Sequence, residues 1–278
     1  MTPQLWRLAM KSVHSSRLAF GVIFMAYLDL VVLIACSLFV SCSSLKNTEL
    51  KFSMVHALAL FKNEEYENAL EELNCILEDN PENEKALSLR AETYFMLKDY
   101  KSAYNDCVQL VKKNPKAEYL IHKAETEREL EMYEAVIEDC KKVLSYDGIA
   151  DGEAFACWNL LSVSYSECEM YEESLKYYDL VLEKYKHPEV YYERALSYLY
   201  LSNFEKALAD FEKSMEQASK CSKEYQQNFY SDDFYYYYGA CLLGSKKIKE
   251  ALANFKKIQD IGSYSKLNEY IQFCEKSK

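Results

Sequence analysis

From residue 50 onward the apolar positions recur in a fixed pattern. Six segments share a 3-4-3 spacing: Tyr66-Ala69-Leu73-Ile76, Tyr100-Ala103-Cys107-Leu110, Tyr133-Val136-Cys140-Val143, Tyr171-Ser174-Tyr178-Val181, Phe204-Ala207-Phe211-Ser214 and Ile248-Ala251-Phe255-Ile258. That spacing is the buried stripe of an amphipathic helix. The residue after each second member is large and apolar, from Leu70 through Tyr104, Ile137, Leu175 and Leu208 to Leu252. Nine residues before each leading member lies a small residue: Ala57, Ala91, Ala124, Ser162, Ala195 and Gly239. A small residue at a fixed offset before a stripe predicts two helices in close antiparallel contact, joined by a short polar turn such as KNEE (62–65) or GSKK (244–247).

Successive hairpins are offset by 34, 33, 38, 33 and 44 residues, counted from Ala57 to Gly239. Gly148 and Gly152 punctuate the link from the third to the fourth. The long final step contains about ten extra residues within Ser219–Ser231, read as longer helices or a bulging loop. After the sixth hairpin, Tyr264 to Lys276 reads as a terminal helix with Leu267, Tyr270, Ile271 and Cys274 on its inner face. Such a helix covers an apolar side that the last hairpin would otherwise expose.

The period and its signature residues resemble the tetratricopeptide repeat, whose pattern runs Trp, Leu-Gly, Tyr, then Ala, Phe and Pro. The second hairpin carries it in Ala91, Tyr94, Tyr100, Ala103 and Pro115, the first in Ala57, Tyr66, Ala69 and Pro81, and the fourth in Trp158, Leu161, Tyr165 and Tyr171. The resemblance implies an all-α, right-handed superhelical solenoid of about six antiparallel helix hairpins with a C-terminal capping helix. It places repeats near 50–83, 84–116, 117–150, 155–187, 188–218 and 232–263, followed by the capping helix and tail at 264–278. No Pro closes repeats three, five and six, and the sixth departs furthest, with Leu242 where Tyr is usual.

The first fifty residues are of another kind. Arg7, Lys11 and Arg17 precede a nearly continuous apolar stretch from Ala19 to Val40, interrupted by Asp29. A basic start, an apolar run and a small polar ending predict an export signal over 1–41. Its end, Phe39-Val40-Ser41-Cys42, resembles the lipobox of bacterial lipoproteins, which implies acylation at Cys42 and a tether over 42–49. Leu33-Ile34-Ala35-Cys36 is a second such tetrapeptide, making Cys36 the alternative, and an uncleaved anchor is the third reading. All three predict a bacterial cell membrane or envelope protein with its repeats on the periplasmic or outer side.

Composition sharpens the picture. Only 6 Gly and 4 Pro in 278 residues exclude a many-stranded barrel and a Gly-rich nucleotide fold. A formal charge of -11 argues against nucleic acid as a partner. The chain carries no Gly-rich phosphate loop, HExxH or GxSxG motif, and its four His are scattered. No catalytic residue, metal site or cofactor is therefore expected, and the protein is read as a non-enzyme. Cysteines on the predicted helices read as small buried hydrophobes, while Cys221 in the insertion reads as an exposed thiol. Consecutive second helices hold Cys107 and Cys140 too far apart for a disulfide.

The family resemblance implies a concave groove lined by the first helices, holding a peptide or partner helix. Carried onto this sequence, Lys85, Glu92, Glu118, Glu125, Arg128 and Glu129 form a mainly acidic strip. Tyr192, Leu196, Leu199, Tyr200, Tyr236, Ala240 and Leu243 form an apolar and aromatic one. The 25 Tyr concentrate in the second half, and the run Phe234–Tyr238 cannot bury every ring on one helix face. Those rings either pack against the insertion and terminal helix or form a recognition patch. Partner-binding residues are expected at Tyr192, Leu196, Tyr200, Tyr236, Leu243, Glu92 and Glu125. The expected function is a scaffold for an envelope protein or peptide with basic and apolar residues. The alternative is an accessory component of a solute transporter, holding a small apolar ligand in the aromatic half.

Overall fold

The computed structural model describes residues 53–277, all of them in helices and short connections. The export signal, both lipobox cysteines and the tether lie outside the described residues. Of the fourteen α-helices among the described residues, twelve follow one another as antiparallel pairs: α1 (53–62) with α2 (Tyr66–Asp79), α3 (Glu84–Met96) with α4 (Tyr100–Lys113), and α5 (Ala117–Glu129) with α6 (Tyr133–Leu144). The series continues with α7 (Asp151–Glu167) and α8 (Tyr171–Lys184), α9 (Pro188–Tyr200) and α10 (Phe204–Ala218), then α12 (Asp232–Gly244) and α13 (Ile248–Phe255). A short α11 (Lys223–Phe229) fills the insertion, and α14 (Leu267–Lys276) closes the chain. The chain divides into two compact units after Ala86.

Each second helix begins at the leading residue of its stripe, from Tyr66 to Ile248. The residue two positions earlier is left-handed in all six hairpins: Glu64, Lys98, Glu131, Glu169, Ser202 and Lys246 have φ of 58° to 62°. The next residue donates its N–H to a carbonyl five residues back, as Asp99 does to Tyr94 and Met170 to Tyr165, at 2.9 and 2.8 Å. This is a Schellman ending, which satisfies the last carbonyls of the first helix and turns the chain sharply. Glycine is the usual residue there, and this chain manages without it. Asp99 and Asn203 then cap the second helices by accepting the N–H of Ser102 and Lys206.

The small residues predicted to seat the helix pairs are buried throughout, Ala57, Ala124 and Ala195 completely. They face the stripes, in which Ala69, Leu73, Ala103, Val136, Cys140, Ala207 and Phe211 are equally inaccessible. In the last pair the stripe brings Phe255, and the facing residue is Gly239. A Cβ there would stand 2.6 Å from the ring, so only glycine admits the phenylalanine at this distance.

Three details differ from the sequence reading. The insertion is neither a bulging loop nor an extended α10, because Ser222 caps a separate two-turn helix by accepting the Tyr225 N–H. The final helix starts at Leu267 rather than Tyr264, preceded by a 3-10 turn over Ile261–Ser263. Of the cysteines on the predicted helices expected to be buried, Cys75 is exposed and Cys168 partly exposed, while Cys221 in the insertion is only partly exposed.

Candidate functional site

The C-terminal helices enclose a cleft of about 790 Å³ that opens to solvent. One wall is the end of α9 with the start of α10, contributing Leu199, Tyr200 and Phe204. A second is α12, with Tyr236, Tyr237, Ala240, Leu243 and Gly244, and the third is α14, with Glu269, Tyr270 and Phe273. The lining is aromatic because the Phe234–Tyr238 run wraps more than a turn, sending its rings in different directions. Phe234 is buried beneath Phe229 of α11 and Tyr192, and Tyr235 stacks on Tyr230. Tyr236 and Tyr237 are left to face the cleft. Phe234 and Tyr235 thus pack against the insertion, while Tyr236 and Tyr237 line the cleft.

The cleft is shaped by ring-on-ring contacts. Tyr236 stacks on Tyr264 at 4.6 Å and lies near Tyr270 at 6.2 Å. Tyr200 stacks on Tyr171 of the preceding repeat at 4.9 Å and meets Tyr237 edge-on. Gly244 lets the Phe204 ring close the floor, since a Cβ would fall 2.3 Å from it. Two lining residues project strongly into solvent, Tyr200 at 52% and Phe273 at 55% exposure. Exposed rings on a rigid wall cost little conformational entropy when a partner covers them.

Of the residues expected to bind a partner, the structure brings Tyr200, Tyr236 and Leu243 together in this cleft. Tyr192 is packed instead against Phe211, Phe229 and Phe234, at 5.8 to 6.2 Å. Leu196 packs beside it against the same buried cluster. Glu92 and Glu125 sit on α3 and α5, apart from the cleft, the first exposed and the second partly buried. Phe273 and Glu269 escaped the sequence reading because α14 follows no repeat pattern.

Glu193 is partly buried, and burial raises its carboxyl to about 7, with Glu167 and Glu189 adding in the same direction. Tyr237 is pushed to about 12, chiefly by burial and then by its bond with Tyr200. Burial likewise holds the Cys107 and Cys241 thiols at about 12, as expected for inert core residues. Cys140 meets Cys157 of α7 rather than Cys107, and that contact, with burial, raises its pKa. Among the described residues there is no His, Cys, Asp and Glu grouping able to hold a metal. Nor is any helix there long and apolar enough to cross a membrane.

Residues 54–118 and 188–221 each match a family model described as tetratricopeptide repeat. Those two stretches are similar to tetratricopeptide repeats. Solved structures of the same fold agree. PilW, named as a widely conserved type IV pilus biogenesis factor, is 17% identical with a TM-score of 0.60, over 81% of this chain and 97% of its own. PilF of Pseudomonas aeruginosa is 13% identical with a TM-score of 0.60, over 82% and 97%. A tetratricopeptide repeat protein of Parabacteroides merdae is 20% identical with a TM-score of 0.52, over 81% and 84%. No curated protein matches the chain in sequence.

Proposed function

We propose that this tetratricopeptide-repeat chain is a non-enzymatic scaffold of a bacterial envelope, anchored by a lipid at Cys42, which holds a peptide or partner helix against its concave face. The observation that carries the reading is the open aromatic cleft between α9, α12 and α14. Tyr200, Tyr236 and Leu243 are its contacts there, joined by Phe273; Tyr192 and Leu196 support the wall from behind. Glu92 and Glu125 extend the contact along the acidic strip. The pilus biogenesis factor among the structural neighbours supports an assembly role, and the basic and apolar pattern before Cys42 supports export.

Crosslinked pull-down from native envelopes tests the groove. Tyr200→Ala with Phe273→Ala should release the captured partner while leaving the thermal melt near wild type; undiminished capture by a folded double variant overturns the proposal. Metabolic labelling with a palmitate analogue tests the anchor. Cys42→Ser should abolish the label and Cys36→Ser should not; the reverse assigns Cys36, and an unlabelled wild type removes the lipid.

A cleft of about 790 Å³ also falls in the size range of small-molecule sites, which favours an accessory transport role as the second reading. Saturable one-to-one binding of a neutral naphthalene probe, lost in Phe273→Ala and with no protein captured, would favour it.

A further inference from the structure

We propose that the cleft between α9, α12 and α14 is an arginine site. A guanidinium of the partner segment pairs with Glu269 and lies against the surrounding rings, while the segment's apolar residues fill the rest. This rests on the reading of the cleft as a peptide site and names the side chain that enters it.

Three observations converge on it. First, Glu269 is the one charged residue in an otherwise aromatic and apolar lining. It sits on α14 four residues before Phe273, which places the carboxylate and that ring on the same helix face. No basic side chain meets it among the described residues, whereas Glu275 of the same helix pairs with Lys256 at 3.1 Å. A partner that covered this carboxylate without bringing a cation would leave it desolvated and unpaired, which is costly.

Second, the protein's own contacts show what its rings accept. Lys257 lies over Tyr235 at 4.7 Å, and Lys206 over Tyr198 at 5.3 Å. The pattern stops at the cleft. Among the described residues no cation lies over Tyr200, Tyr236, Tyr237, Tyr270 or Phe273, which line it. Tyr200 and Phe273 are each about half exposed, so ring surface is left for an incoming cation.

Third, the chain seats its own arginines between a ring and a carboxylate. Arg194 lies over Tyr191 and Tyr198, each at 5.9 Å, while donating to Asp210 at 2.6 Å. Arg90 lies over Tyr94 at 5.8 Å while donating to Asp106 at 2.7 Å. The cleft offers the same two kinds of group with the arginine missing. A guanidinium can bond the carboxylate through its edge and rest its flat face on a ring; an ammonium has no such face. An acidic segment is disfavoured, since it would meet Glu269 and a chain of formal charge -11.

The probes are three dye-labelled, amidated hexapeptides: Gly-Phe-Arg-Phe-Leu-Gly and the same sequence with citrulline or lysine in place of arginine. Citrulline keeps the shape of arginine and removes its charge. Fluorescence anisotropy with the full chain follows their binding. The arginine peptide should bind roughly tenfold tighter than the citrulline peptide, the size of one charge-assisted hydrogen bond. Glu269→Gln changes an exposed position. There the preference should fall to about threefold, the share of the rings, with the citrulline affinity unchanged. Phe273→Leu keeps an apolar side chain and removes the ring, so the arginine peptide should lose more affinity than the citrulline one.

Equal arginine and citrulline affinities, both weakened in Phe273→Ala, would overturn the arginine site and leave the cleft reading standing. A full preference retained in Glu269→Gln would overturn the assignment to this residue. A lysine peptide as tight as the arginine peptide would overturn the choice of a guanidinium. Failure of all three to bind would overturn the cleft reading and the arginine site with it.

Discussion

Arg194 and Asp210, one on each helix of the fifth pair, are joined by two parallel hydrogen bonds, Nε to Oδ2 at 2.6 Å and Nη2 to Oδ1 at 2.8 Å. The second pair repeats this geometry between Arg90 and Asp106, at 2.7 and 2.8 Å. Lys123 and Asp139 take the same places in the third pair at 2.7 Å, and His56 and Glu72 in the first at 3.7 Å. Each basic member immediately precedes the small packing residue of its first helix, and its acid lies sixteen positions on. These contacts tie the two helices of a repeat together just beside their closest approach.

Asp210 is 3% exposed and Arg194 14%, so breaking the pair strands a charge in a mostly dry place. Asp210→Ala should lower stability by about 3 kcal/mol. The double variant Arg194→Met, Asp210→Leu should return to within about 1 kcal/mol of wild type, because neither charge is left behind. Urea midpoints measure both, and an additive double variant would show that the pair is not the cause.

The six left-handed turn residues make a prediction of opposite sign. Lys98 and Glu169 are exposed and sit at φ of 61° and 59°, where a side chain is disfavoured. Lys98→Gly and Glu169→Gly should each stabilise by about 0.5 kcal/mol, the relief of strain exceeding the added entropy of the unfolded chain. Lys98→Val should destabilise. Thermal melts that rank Val above Gly at this site would refute the account.

Gly239 is a packing requirement rather than a hinge. Gly239→Ala places a methyl group 2.6 Å from the Phe255 ring and should lower stability by about 2 kcal/mol. The equivalent positions of the first repeat hold Ala57 and Leu73, both fully buried. Adding Phe255→Leu to Gly239→Ala should therefore restore part of the loss, and a purely additive pair of effects would count against the steric explanation.

The Glu193 carboxyl should be visible in stability. Its folded value, near 7, lies above the ordinary carboxylate range, so the fold binds this proton more tightly than the unfolded chain does. That contribution is complete at about pH 4 and is lost as pH rises to about 7. Glu193→Gln, neutral throughout, should match wild type at about pH 4 and exceed it by about 2 kcal/mol at pH 8. Denaturation curves separated by the same amount at both pH values would point to packing instead.

Much of this architecture is legible from the chain because it is local. A stripe of four positions, a small residue nine places earlier and a polar turn between them all lie within one hairpin. The helix starts at Tyr66, Tyr100, Tyr133, Tyr171, Phe204 and Ile248 follow from that pattern directly. The left-handed turn residues were not legible, since Glu, Lys and Ser carry no mark of positive φ as Gly would. The sixteen-residue ion pairs were present in the sequence, but polar residues beside a stripe look the same whether they face water or one another.

What the sequence by itself determined is the repeat, the pairing of helices and the acidic, aromatic character of the second half. The tertiary structure alone decided which rings serve the core and which the cleft. Tyr192 and Tyr236 occupy equivalent places in their repeats, yet α11 brings Phe229 over the first, while α14 brings Tyr270 beside the second. Both covering helices lie outside the repeat, so no periodicity foretells where they pack. A side chain's fate depends on the surface that comes to meet it, and that surface is set by contacts distant in the chain.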